Sequence, residues 1–112
     1  MKILDCTLRD GSYAINFQFT AFDTAQIVGE LDRVGIELIE VGHGVGLNAS
    51  NRGYGEAAET DEDYLKAAVP RAKPGRVGVF CIPGVARLDD VDMAADCGAG
   101  FLRIGTNVAD VD

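Results

Sequence analysis

The sequence predicts an α/β fold in which parallel strands alternate with helices, and three observations carry that reading. Short runs of continuous hydrophobicity take turns with longer stretches at helical spacing, as βαβ units require. The short runs are rich in Val, Ile, Leu and Phe, which predicts strands buried on both faces, as in a parallel sheet. With 112 residues, 47% hydrophobic and 25% charged, the chain has a globular composition and room for one unit or a piece of one.

Taken in order, strands are expected over residues 2–8, 36–41, 76–82 and 101–104, each bounded by glycine or a polar turn. Between the first two, Phe22, Ile27, Val28, Leu31 and Val34 recur at helical spacing. Thr20 and Asp23 fit a capping box there, and Gly35 is placed to end the helix. A second helix is expected after Thr60, with Asp61, Glu62 and Asp63 in its first turn and Tyr64, Leu65, Ala68 and Val69 on its inner face. Pro70 should end or kink it. A third is carried by Leu88, Val91, Ala94 and Ala95 with Gly98 as its stop, and its Asp89, Asp90 and Asp92 read as a solvated face. Right-handed crossovers then place every strand C-terminus on one edge of the sheet. The connection from Gly42 to Thr60 is long for a strand-to-helix joint, and such loops at that edge tend to carry function.

Charge narrows the partners. Eighteen acidic against ten basic residues give a net charge of −8, which repels phosphate backbones and anionic lipid, so no nucleic acid and no membrane partner is expected. No apolar run approaches the ~18 residues that cross a bilayer. The short apolar stretch after Lys2 meets Asp5, Arg9 and Asp10 too soon for a signal peptide, and a cytoplasmic location is expected. Cys6, Cys81 and Cys97 are odd in number and widely spaced; they read as core thiols.

Polar residues at strand C-termini are where a parallel α/β sheet builds its site. Here they are Arg9 and Asp10 after the first strand, Glu40 at the end of the second, His43 just beyond, and Thr106 and Asn107 after the fourth. Singly, each also reads as a cap, a turn residue or an ion pair; a lone His43 reads as a loop or structural histidine. Glycine clusters beside them, at Gly11, around His43 and around Tyr54. The GHGVG run lacks the lysine of a phosphate loop, and no GxGxxG follows the first strand, so nucleotide binding is not expected.

The run Thr7-Leu8-Arg9-Asp10-Gly11, with Glu40 ending the next strand, resembles the signature of the DRE-TIM, or HMG-CoA lyase-like, superfamily of metal-dependent lyases and aldolases. Residues 7–20 (TLRDGSYAINFQFT), 39–47 (IEVGHGVGL), Tyr54-Gly55, Pro83-Gly84 and residues 102–106 (LRIGT) are most similar to the 4-hydroxy-2-oxovalerate aldolases. The likeness runs in register over essentially the whole chain. It implies a parallel (β/α) half-barrel, the first four strands of a TIM (β/α)8 barrel, so that residues 1–112 form the N-terminal half of an aldolase or lyase domain.

The resemblance also implies a chemistry. A divalent metal, Mn2+ or Mg2+, would be held by Asp10 and by two histidines beyond this chain, with a small 2-keto acid as substrate. Breaking the C3–C4 bond of a 4-hydroxy-2-oxo acid leaves a pyruvate enolate, whose charge Arg9 helps to neutralise; Glu40 orients that arginine. Arg9, Asp10 and Thr106 would contact substrate. Where the aldolases carry a proton-accepting histidine this chain has Tyr13, so Tyr13 is expected to donate or line the pocket, with His43 or a group outside the chain moving the proton. Asn107 stands where the aldolases tend to have histidine. The resemblance allows a homo-oligomer and an acylating aldehyde dehydrogenase as partners. The alternatives are an acyl-CoA-dependent Claisen-type synthase of the same superfamily, disfavoured by Ser12-Tyr13 after the RDG run, and a non-catalytic half-barrel scaffold. A truncated piece of a longer enzyme is expected, ahead of a half-barrel that dimerises.

Overall fold

The computed structural model describes residues 2–105, in which four parallel strands form one sheet in the order β1-β2-β3-β4. The strands are β1 (Leu4–Asp5), β2 (Leu38–Glu40), β3 (Val77–Cys81) and β4 (Phe101–Ile104). Helices α1 (Ala21–Arg33), α2 (Asp61–Ala68) and α3 (Leu88–Asp96) fill the three crossovers. The α/β expectation holds, with the alternating half-barrel architecture.

Local chemistry sets the boundaries. Strand β1 is shorter than residues 2–8 because the Asp5 carboxylate turns back to accept from Thr7 N at 3.0 Å, and this side-chain turn takes the chain out of the ladder. Helix α1 begins as expected, with Thr20 Oγ1 accepting from Asp23 N at 3.0 Å and Asp23 accepting from Thr20 N at 3.1 Å. Gly35 ends it at φ +94°, where a side chain would be strained. Thr60 Oγ1 caps α2 by accepting from Asp63 N at 3.1 Å, and the chain passes into a 3-10 turn over Val69–Arg71 at Pro70.

Register shows what each sheet face carries. Leu4 pairs with Leu38, Glu40 with Gly78, Gly78 with Phe101, and Phe80 with Arg103. Since side chains alternate, Glu40, Phe80, Phe101 and Arg103 share one face, while Ile39, Val77, Val79 and Leu102 share the other. The second face packs on all three helices, through Val28 of α1, Leu65 and Ala68 of α2 and Ala94 of α3. Each buried leucine or valine there contributes roughly 1.5–3 kcal/mol. The first face is the inner wall of the half-barrel and is partly polar, which corrects the expectation of strands apolar on both sides.

Four positions also depart from the expected inner faces of the helices. The α1 stripe is Thr24, Val28 and Leu31, so Phe22, two residues before Thr24 and therefore about 200° around the helix, points outward. Val34 caps the C-terminus and is exposed, as is Leu88 in the first turn of α3. Ala95 lies on the solvent side of α3, one residue past buried Ala94. Cys81 is buried and Cys6 and Cys97 half-buried; all three are free thiols.

Candidate active site at the strand C-terminal edge

Glu40 is the most deeply placed ionisable group in this part of the molecule, with no exposed surface. A buried carboxylate is tolerable only with partners, and Glu40 has two arginines, Arg9 from the loop after β1 and Arg103 from β4. Arg9 Nε donates to its Oε1 at 2.8 Å. Arg103 Nε donates to Oε2 at 2.7 Å and Arg103 Nη2 to Oε1 at 2.9 Å. Burial pushes the Glu40 carboxyl up, but the hydrogen bonds and charges of Arg103 and Arg9 outweigh it, and the group is held below the ordinary glutamate value. It is therefore ionised at neutral pH.

Both guanidinium groups lie over the Phe80 ring, Arg9 at 4.4 Å and Arg103 at 5.4 Å from its centroid. Arg9 is held on a third side by Gly44 O, which accepts from Nη1 at 2.9 Å. With its side chain only 11% exposed, Arg9 has little freedom to move. Asp10 follows it directly at the start of a 3-10 turn over Asp10–Ile15. Its carboxylate lies 3.5 Å from Arg9 Nη1 and is 63% exposed, so it opens toward solvent.

The long connection is built around His43, which is buried. Val45 N donates to Nδ1 at 3.0 Å, so Nδ1 is the acceptor and the ring proton sits on Nε2, which donates to Gly55 O at 2.8 Å. The ring stacks on Phe17 with centroids 3.9 Å apart, and Phe17 meets the edge of Tyr13 at 5.2 Å. Asn16 and Phe17 both adopt left-handed backbone, at φ 54° and 64°, a conformation that costs a bulky residue about 1–2 kcal/mol. Here it brings the aromatic ring onto His43. A Cβ at Gly44 would lie 2.8 Å from Tyr13 and 2.9 Å from Phe17, so only glycine lets the loop pass under them. Tyr13 itself is half exposed.

The geometry thus gathers Arg9, Asp10, Glu40, Tyr13 and His43 at one end of the sheet, and the arrangement can be compared with known proteins. A family model described as HMGL-like matches residues 1–112. The chain belongs to the HMGL-like family.

Among HMGL-like relatives, a 4-hydroxy-2-oxovalerate aldolase of Moorella thermoacetica is 50% identical over all 112 residues of this chain and 33% of its own length. One of Carboxydothermus hydrogenoformans is 45% identical over the same spans. An oxaloacetate decarboxylase of Mycobacterium tuberculosis is 49% identical over 91% of this chain and 30% of its own. The chain spans about a third of the length of the curated relatives it matches.

Within this HMGL-like site, sequence alone assigned no role to Arg103 or Phe80. Their signal was a charged residue inside an otherwise apolar strand, whose meaning depends on the register that sets it beside Phe80. Thr106 and Asn107 lie outside the described residues. His43 is placed as a holding residue, since both ring nitrogens are engaged by backbone and its proton is committed to Gly55 O. Burial raises the Cys81 thiol above its ordinary value, with the Asp90 charge adding to it, so it stays protonated at neutral pH. Asp10 offers one hard oxygen donor of the kind a divalent cation takes. Among the described residues no three His, Cys, Asp or Glu side chains group as a complete metal site.

Proposed function

We propose that this site binds a 2-keto acid and stabilises the pyruvate enolate released when the C3–C4 bond of a 4-hydroxy-2-oxo acid breaks, the second product being an aldehyde. The carrying observation is Arg9, a cation held on three sides by Glu40, Gly44 O and Phe80, beside the exposed carboxylate of Asp10. The assignment as a metal-dependent pyruvate aldolase is supported by the aldolases among the relatives.

Arg9 contributes a positive charge that needs no reorganisation during reaction, near the oxygen where negative charge develops. Its guanidinium stays protonated and presents a fixed fork, which a lysine does not reproduce. Glu40 fixes that fork in direction. Asp10 is the residue that would hold a divalent cation, Mn2+ or Mg2+, which when bound supplies further positive charge for the keto acid's carboxylate and carbonyl oxygens. Thr106 is proposed to contact the substrate, Tyr13 to line its entrance or donate a hydrogen bond, and His43 to keep the loop closed beneath.

A second reading has an observation of its own. Aldol cleavage needs a base for the C4 hydroxyl proton, whereas decarboxylation of a 2-oxo-1,4-dicarboxylic acid breaks the same C3–C4 bond and releases C4 as CO2 without one. His43 is fully hydrogen-bonded and Tyr13 offers a phenol where a proton-accepting imidazole would stand, which suits the base-free reaction. The oxaloacetate decarboxylase among the relatives points the same way.

The test is to supply the full-length protein with Mn2+ and measure pyruvate from 4-hydroxy-2-oxovalerate and from oxaloacetate. Aldehyde formed with pyruvate supports the aldolase, and pyruvate from oxaloacetate alone supports the decarboxylase. Release from neither, with condensation only in the presence of acetyl-CoA, would assign it to the synthases instead. Asp10→Asn is expected to lower pyruvate release by at least about 100-fold.

A further inference from the structure

The Glu40 carboxylate is shared unequally. Arg9 reaches it through one hydrogen bond, Nε to Oε1, which leaves the carboxylate free to rotate about that contact. Arg103 reaches both oxygens through Nε and Nη2, a side-on fork that fixes the carboxylate plane. The strand on the far side of the sheet therefore decides which way Glu40 faces. Charge is unequal too. Arg9, Asp10 and Glu40 alone sum to −1, whereas with Arg103 the cluster sums to zero, in a chain whose net charge is −8. Arg103 is 43% exposed, on the face of the sheet that lines the half-barrel interior.

We propose that Arg103 is a positioning residue for Arg9: its fork clamps Glu40 in the orientation that presents Oε1 to Arg9 Nε, and its charge offsets the second carboxylate so that the cluster carries no net negative charge toward an anionic keto acid. Phe80 serves both arginines as a common floor and limits sideways movement of either. The inference rests on the reading of Arg9 as the cation that meets the developing charge.

The test uses the full-length protein with Arg103→Met and Arg103→Lys. Two measurements are made, hydrogen exchange of the Arg9 Nε–H by nitrogen-15 NMR, assigned with Arg9→Lys, and kcat and KM for pyruvate release. In Arg103→Met the Arg9 Nε–H is expected to lose its protection, kcat to fall about 10- to 100-fold, and KM to rise, measured at a temperature where the variant is fully folded. Arg103→Lys restores the charge without the fork, so KM should recover while kcat does not. Wild-type Nε–H protection and wild-type kcat in Arg103→Met would overturn the proposal. If Arg103→Met does not fold, Arg103→Lys decides on the same exchange measurement, lost protection supporting the clamp and unchanged protection overturning it. If the wild-type protein releases no pyruvate, the reading of Arg9 fails, and Nε–H protection alone still decides whether Arg103 positions it.

Discussion

At the residue scale the site depends on one buried carboxylate. Removing its charge leaves two arginines facing a neutral group, so Glu40→Gln should destabilise the protein by about 3 kcal/mol or more, measured as a fall in the urea midpoint. The same group sets an acid limit. Because the native Glu40 carboxyl is held below its ordinary value, the unfolded chain takes up a proton first as pH falls. Its contribution is complete above the unfolded value of ~4.3 and is lost as pH drops through the native one. Asp32 adds in the same direction, lowered chiefly by the Lys73 backbone N–H it accepts from and also by Arg76. Urea midpoints taken from pH 7 to pH 3 should fall below about pH 4.3 in the wild type and fall less in Glu40→Gln. Equal slopes in the two proteins would remove Glu40 as the cause. Arg9, Asp10, Glu40 and His43 were all legible at this scale from residue type and position after a strand. The tie between His43 and Gly55, twelve residues on, was not, because nothing local to His43 indicates which carbonyl it meets.

At the element scale the connection between β2 and α2 behaves as part of the core. Leu47, Ala49 and Ala57 are buried within it, and Asn48 spans it, donating Nδ2 to Val85 O at 2.9 Å and its backbone N–H to the Asp61 carboxylate at 2.7 Å. Gly46 sits at φ +107°, and a Cβ there would lie 2.6 Å from Phe80 O. Gly46→Ala is therefore expected to cost more than the ~1 kcal/mol of an ordinary left-handed glycine and to displace Phe80 from beneath the arginines. The expected readout is a lower Tm together with a loss of activity larger than the stability change explains. The Thr20–Asp23 capping box and the helix stops could be predicted from sequence because they are made within four residues. The outward positions of Phe22 and Leu88 could not, because an apolar residue off the main stripe satisfies helical spacing while facing away from the sheet.

At the scale of the whole molecule the sheet has β1 and β4 at its two edges and helices on one face. A chain of 112 residues made alone would carry both edges and the partly polar inner wall, and such edges are templates for pairing with another copy. Sedimentation velocity is expected to show concentration-dependent association of this 112-residue chain, and pyruvate assays are expected to show no cleavage by it. A monodisperse monomer with metal-dependent activity would contradict both expectations. Among the described residues no helix is long and apolar enough to cross a membrane.

The sequence by itself determined the order of strands and helices, the parallel sheet and the edge on which the polar residues gather. Those follow from hydrophobic period, capping chemistry and the handedness of crossovers, all of which act over short stretches of chain. The short RDG run and Glu40 also placed it beside one family. Only the tertiary structure decided which partners those residues take. Residues 9, 40, 80 and 103 come from four separate segments, and their meeting over one aromatic ring depends on strand register. The carboxylate of Glu40 must find charge partners once it is buried, and the fold supplies two where the sequence had suggested one.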